Sequence, residues 1–215
     1  MTQHLAAHAA VANVDGDIVI LDALGGHYYC LADAAAAFDL GGGARRILDA
    51  DLAEDLTSLA LTAQQSEPVS RILLPTPARQ LDRTGAVKLQ WRERRLALAA
   101  YGDMLSAYYA KPFAQVLAQA RQAGNGRPGD DTPQLRRQVL AFRQWLPWAP
   151  FPGVCLFRSR LLLAFLHRSG LNATWVFGVR TWPFEAHCWL QVQDLVLDDT
   201  VDNVRGFTPI FLVGS

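Results

Sequence analysis

Two β-type apolar runs, DIVILDAL and HYYCLA, lie near the amino terminus, joined by Gly25-Gly26, a hairpin signal, with Asp15-Gly16 marking a turn before them. The Ala-rich stretch DAAAAFDL predicts a helix with Asp33 as its N-cap and Gly41-Gly42-Gly43 as its stop. ARRILDADL and the segment around LAEDLTSLALTAQQ predict two more short helices. A hairpin on three helices is a winged-helix-like arrangement. Further along, WRERRLALAAYGDMLSAYY sets Leu96, Ala99, Ala100 and Leu105 in an amphipathic helical pattern. KPFAQVLAQARQ predicts a second helix with Pro112 in its first turn, and QLRRQVLAFRQWL a third, ended by Pro147.

The stretch from Cys155 to Asp199 then reads as one helix followed by three strands. CLFRSRLLLAFLHRSG follows a Pro152-Gly153 break and stops at Gly170, so Cys155 falls in the first turn of a helix of about four turns. Unpaired N–H groups and the positive end of the helix dipole favour a thiolate there, and the thiolate is the attacking species. His167 lies twelve residues along the same helix, about 18 Å away at ~1.5 Å per residue, which is too far to act as its base. EAHCWLQVQ alternates, with His187, Trp189 and Gln191 on one face and the apolar Cys188, Leu190 and Val192 on the other. That strand closes a core with one side and lines a cleft with the other. The next strand ends in Asp198 and Asp199, and an acid opposite the histidine would fix its tautomer and stabilise imidazolium. A three-residue loop, Val192 to Asp194, sets His187 across from Asp199. A two-residue loop, Gln193-Asp194, sets it across from Thr200 and moves Asp198 onto its face. Cys30 and Cys188 read as buried small hydrophobes, and Trp145 and Trp148 as packing residues on the approach to Cys155.

Composition narrows the classes. Three cysteines are too few and odd in number for a disulfide framework, which fits a reducing cytoplasm. The amino terminus lacks the basic start and apolar block of a signal peptide, and no run approaches the ~20 apolar residues that span a bilayer, so a soluble cytoplasmic protein without membrane insertion is expected. Net charge is zero, yet residues 1–80 hold 4 Lys/Arg and 10 Asp/Glu against 16 and 10 in residues 81–215, and all six tryptophans fall in the second part. Two modules follow, 1–80 and 81–215, with a boundary near the Pro-rich LLPTPARQLDRTG. No basic stripe interleaved with aromatics marks the first module, which argues against nucleic acid as a partner. His4, His8 and His27 lack matching Cys or acidic spacing, so no metal site is expected.

A Cys at a helix start, a strand carrying His-x-Trp and a strand ending in Asp before Thr resemble the transglutaminase-like cysteine hydrolases. More closely, CLFRSRLLLAFLHRSG, AHCWLQV and VLDDTVD resemble the leader peptidases of lasso-peptide biosynthesis, the B proteins, over roughly residues 85–215. The resemblance implies an α+β chain with a transglutaminase-like (papain-like) domain at 81–215 and a catalytic triad of Cys155, His187 and, by spacing from the histidine, Asp199. DGDIVILDALGGHYYCLADAAAAFDL also resembles the peptide-recognition domain of ribosomal-peptide modification systems, in which the leader lies along the third strand and against the third helix. Carried over, this places a leader near Tyr28, Tyr29 and Leu31 and near Leu59. The function so implied is removal of the leader from a precursor peptide, without metal or organic cofactor, with the core passed to an ATP-dependent lasso cyclase. The same triad would also serve an acyltransferase, and a non-catalytic leader-binding scaffold is a further alternative.

Overall fold

The computed structural model describes residues 3–65, 74–82, 87–124, 129–150 and 154–214. Its first part holds β1 (Gln3–Leu5), β2 (Ala9–Val14), β3 (Asp17–Asp22), β4 (His27–Leu31), β5 (Phe38–Asp39), β6 (Arg46–Ile47), α1 (Ala50–Ser58) and β7 (Thr62–Ala63). β2, β3 and β4 form one antiparallel sheet in that order, and β5, β6, β1 and β7 form another. Asp15 and Gly16, both at positive φ (53° and 102°), make the two-residue turn between β2 and β3. Primed turns of that kind match the twist of the strands they join. The Asp22 carboxylate accepts the N–H groups of Leu24 and Gly25 at 2.8 and 3.1 Å and so shapes the turn into β4.

Alternation along β3 feeds two cores. Ile18 and Ile20 join Leu5, Phe38, Leu56 and Leu61 in a small one. Val19 and Leu21 point the other way, into the large core that also contains Phe165, Trp175 and Leu190. The hairpin is therefore the shared wall of both halves.

Of the three expected helices of the first part, the one around LAEDLTSLALTAQQ is present as α1, and the other two are not formed as expected. DAAAAFDL forms a 3-10 turn at Ala35–Ala37 and then β5, because Phe38 is buried and pairs with Ile47. Four alanines bury too little to hold a helix against that pairing. ARRILDADL gives β6 and the start of α1, and the end of LAEDLTSLALTAQQ passes into β7. Asp49 caps α1 by accepting Leu52 N–H at 2.9 Å, and this fixes the helix start beyond Arg46 and Ile47. Among the described residues of the first module α1 is the only α-helix, so the arrangement is β-rich rather than winged-helix-like.

The second part opens with β8 (Arg79–Gln80), then α2 (Trp91–Ala110), α3 (Phe113–Ala123), α4 (Pro133–Trp145), α5 (Cys155–Arg168), β9 (Thr174–Arg180), β10 (Glu185–Val192), β11 (Leu195–Val196), α6 (Val201–Val204) and β12 (Thr208–Val213). The sheet order is β12-β9-β10-β11-β8, antiparallel except where β8 joins β11. The Pro152-Gly153 break lies outside the described residues. α5 is buried from Ser159 to Leu166, as expected of a helix apolar on nearly every side. It packs on β9 and β10, and α2, α3 and α4 pack around it. Each fully buried Leu or Phe along it contributes about 1.5–3 kcal/mol. Val176, Trp189, Val204 and Phe207 form a third cluster on the opposite face of the sheet. The chain is thus a mixed α+β protein, and among its described residues no helix is long and apolar enough to cross a membrane.

Candidate active site

α5 presents Cys155 as its first residue, half-buried. Val154, the N-cap, makes no side-chain capping bond, which leaves the N–H groups of the first turn facing whatever negative charge arrives there. Val154 is itself 63% exposed, so this end of the helix opens to solvent.

β10 supplies His187. Its Nε2 lies 2.5 Å from Asp199 Oδ2, which leaves Nδ1 as the ring nitrogen for Cys155. The ring is tilted against Phe207 at 5.2 Å between centroids and stacked along Trp189 at 6.1 Å. Asp199 is held in turn, its Oδ1 accepting Thr200 N–H at 2.7 Å and its Oδ2 accepting Asn203 Nδ2 at 2.9 Å. Thr200 caps α6 and thereby brings Asn203 within reach of the carboxylate.

The charges follow from these contacts. Hydrogen bonds from Cys188 and from His187 hold the Cys155 thiol far below its ordinary value, against the opposing effect of burial. The same contact with Cys155, reinforced by burial, pushes Cys188 far up. Burial alone would lower His187, but Asp199 and the Cys155 sulfur outweigh it and raise the imidazole to about 9. Burial works against Asp199 too, and its bonds to His187, Thr200 and Asn203 overcome it and lower the carboxyl. Cys155 and His187 therefore stand as thiolate and imidazolium at neutral pH, with an ionised acid behind the ring.

Asp198 has a different task. Its Oδ1 accepts Leu190 N–H at 2.8 Å, which stitches the bend after β11 to β10. Burial raises it to about 6 despite that bond. It lines a cavity of ≈ 250 Å³ together with Arg158 from α5 and Leu146 and Pro147 from the approach to Cys155. A larger cavity of ≈ 350 Å³ lies on the other side of the sheet, against Trp189 and Phe207.

The four residues expected to touch a leader do not share one surface. Tyr29 and Leu31 pack against the small core, while Leu59 sits 46% exposed at the end of α1. Tyr28 is on the opposite face of β4, its ring 6.0 Å from Phe184 at the tip of the β9–β10 hairpin. Burial pushes its phenol up, and its ring packs against the large core that Cys155 also borders. The outer edge of β4 pairs with no strand among the described residues.

Two expectations change. Cys30 is exposed rather than buried, on a strand whose outer edge pairs with no strand among the described residues. Trp148 is 80% exposed, whereas Trp145 packs in the core. Sequence reasoning missed Asn203 and Phe207. The Thr-x-x-Asn spacing of Thr200 and Asn203 carried the signal for Asn203, but a four-residue helix has no periodicity to mark it. Among the described residues, no group of three or more His, Cys, Asp or Glu side chains is placed to hold a metal ion.

The sequence of residues 98–212 matches the family model of the transglutaminase-like superfamily. No curated protein and no solved structure matches the chain.

Proposed function

This chain belongs to the transglutaminase-like superfamily, and from that premise we propose that it is a cysteine peptidase that removes the leader from a ribosomally made lasso-peptide precursor. The observation that carries the reading is the alignment of Cys155 at a helix N-terminus with His187 and Asp199. The thiolate attacks the carbonyl carbon of the scissile bond. The developing oxyanion is held by N–H groups of the first turn of α5, each such donor contributing roughly 3–4 kcal/mol to the barrier reduction. The imidazolium of His187 protonates the leaving amine as the C–N bond breaks. Water then attacks the thioester with His187 as base, and the sulfur departs as thiolate.

The first module would hold the leader as an added strand on the open edge of β4, between Tyr28 on one face and Tyr29 and Leu31 on the other, with Leu59 at the end of α1 as an outlying contact. Tethering raises the effective concentration of the cut site, so weak contacts in the cleft suffice. The released core would pass to an ATP-dependent cyclase, and the protein would work in the cytoplasm.

The test is to incubate the protein with the precursor peptide encoded beside it and to follow intact masses for wild type and Cys155→Ala. Cleavage at one bond, abolished by the substitution, supports a leader peptidase. Binding without cleavage in the presence of the cyclase overturns it in favour of a scaffold. A product that forms only with an added amine, without hydrolysis, overturns it in favour of acyl transfer.

A further inference from the structure

The cavity of ≈ 250 Å³ beside α5 takes no part in the chemistry above, yet two of its walls lead to the triad. Arg158 and Leu162 line it from α5. At ~100° per residue Leu162 falls about 20° from Cys155 around the helix axis, on the same stripe. At ~1.5 Å per residue Arg158 lies about 4.5 Å and Leu162 about 10.5 Å further along α5 than Cys155. The other wall is the bend after β11, where Asp198 lines the cavity and Asp199 is the next residue. Pro147 and Arg158 are exposed, so the cavity opens to solvent near the end of α5 that carries Cys155.

Phe142, Leu146, Pro147 and Leu162 make its surface largely apolar, and its polar groups are few. Asp198 Oδ1 accepts Leu190 N–H at 2.8 Å, and Arg143 holds the preceding residue by donating from Nη2 to the Leu197 carbonyl at 2.6 Å. The carboxylate is thereby fixed in direction before any ligand arrives. Among the described residues no hydrogen bond reaches its Oδ2, and Asp198 stays partly exposed, so that oxygen is the acceptor offered to the cavity. Arg158 makes no hydrogen bond and no ion pair among the described residues either. A carboxylate and a guanidinium thus line one cavity without reaching each other.

Charge decides what fits. An entering carboxylate would face Asp198, and an entering ammonium would face the guanidinium groups of Arg143 and Arg158. A purely apolar side chain would strip water from Oδ2 and leave it unpaired. A neutral group with an N–H at one corner and an oxygen at the other answers both partners.

We propose that this cavity is the subsite for a substrate residue adjoining the scissile bond, and that Asp198 and Arg158 select there a neutral side chain carrying both a donor and an acceptor, a carboxamide being the fullest match. The N–H donates to Asp198 Oδ2 and the oxygen accepts from Arg158, while the aliphatic stem lies along Leu146 and Leu162. Neither residue takes part in making or breaking bonds. The inference rests on Cys155 as the nucleophile of the proposed peptidase and states what that peptidase prefers.

The experiment measures the second-order rate of Cys155 alkylation by acetyl-X-Gly and acetyl-Gly-X chloromethyl ketones, with X as Gln, Glu, Lys or Leu. It is run at pH 8, where Asp198 is ionised, and the labelled residue is located by peptide mass. In wild type, Gln is expected to exceed each of the others by about tenfold or more in one of the two series. Asp198→Asn leaves guanidinium groups alone in the cavity and is expected to raise Glu about tenfold relative to Gln. Arg158→Met, at an exposed position, is expected to raise Lys relative to Gln by about as much. A merely structural role for either residue would change all four rates alike. Rates that ignore X in both series, or a Gln preference that either substitution leaves unmoved, overturn the proposal. Should Asp198→Asn fail to fold, Arg158→Met decides alone. Iodoacetamide, which has no residue X, separates the two readings. If it labels Cys155 well ahead of the exposed Cys30 while the peptide reagents ignore X, the subsite falls and the nucleophile stands. If it labels Cys155 no faster than Cys30, the nucleophile falls and the subsite with it.

Discussion

Asp199 Oδ2 lies 2.5 Å from His187 Nε2 although the ladder between β10 and β11 sets Asp198, not Asp199, on the face of the histidine. The loop is the two-residue Gln193-Asp194, with Gln193 at φ 53°, so regular pairing would continue to Thr200 opposite His187. Pairing stops after Val196 and the chain bends through residues 197–199. The bend exchanges the two acids. Asp198 turns to the backbone of Leu190, and Asp199 swings to the imidazole.

The exchange separates the two acids in function. Asp199→Asn removes the charge behind the ring and favours the wrong tautomer, with an expected loss of about 10²–10⁴ in kcat. Asp198→Asn keeps the ring's partner and loses a charged acceptor for Leu190 N–H, with an expected cost of about 1–2 kcal/mol in stability and less than about tenfold in kcat. Steady-state kinetics and urea unfolding of both variants check this, and equal losses in kcat would refute it.

Imidazolium is needed to protonate the leaving amine, so kcat/KM is expected to fall as pH rises through about 9, where His187 titrates. In Asp199→Asn that alkaline limb moves to lower pH, because Asp199 is one of the two groups that raise the histidine. Stability carries the same sign. His187 is raised above its ordinary 6.5, so its contribution is complete below that pH and disappears as pH climbs through about 9. A pH–rate profile and urea melts at pH 6 and 10 test both statements. An alkaline limb insensitive to Asp199→Asn would exclude this ion pair as its source.

Trp182, at the tip of the β9–β10 hairpin, donates its Nε1–H to Asp17 Oδ2 at 2.8 Å, while Phe184 meets Tyr28 across the same junction. The hairpin that carries His187 is thus clasped to the first module. Trp182→Phe retains the ring and loses the hydrogen bond, with an expected cost of about 1 kcal/mol, read as a lower urea midpoint at unchanged slope. Asp17→Asn keeps an acceptor oxygen for Trp182 or for Asp33 N–H, which Asp17 also binds at 2.9 Å, and should cost no more than that. An Asp17→Asn loss well above that of Trp182→Phe would show that the clasp works through charge.

Much of the second half was legible because its elements are long. α2, α4, α5, β9 and β10 have enough residues for a period to show, and the alternation of His187 with Cys188 gave the two faces of β10, although the face of the histidine packs Trp189 and Phe207 in a third apolar cluster instead of lining an open cleft. In the first half the hairpin of β3 and β4 and the Asp15-Gly16 turn were legible too, but β5, β6 and β7 have two residues each and owe their form to pairing with distant partners. Local propensity is outweighed there by the burial of Phe38 and Ile47. At the site, Cys155 and His187 stood out by element type. The choice of acid turned on where a strand ends, which neither spacing nor periodicity encodes. Cys188 was legible as apolar and buried, whereas the bond from Trp175 Nε1–H to Ser159 Oγ beside it joins two ordinary core positions that come together only where the helix meets the sheet.

Gly178 pairs directly with His187 across β9 and β10. A Cβ added there would come within 2.8 Å of the Trp189 ring and 2.9 Å of Phe207 Cβ. Such an approach forces something to move, and the atoms available are those of the two aromatic side chains that flank the imidazole. Gly178→Ala is therefore expected to cost about 1–3 kcal/mol by overpacking. If Phe207 yields, the ring of His187 loses its support and the bond to Asp199 lengthens, so kcat drops about tenfold or more while binding of the precursor is unchanged. Kinetics on the folded fraction together with a precursor binding assay separate the two effects. A variant that is destabilised yet retains full kcat would show that Trp189 moves instead, and that Phe207 alone suffices to hold the histidine.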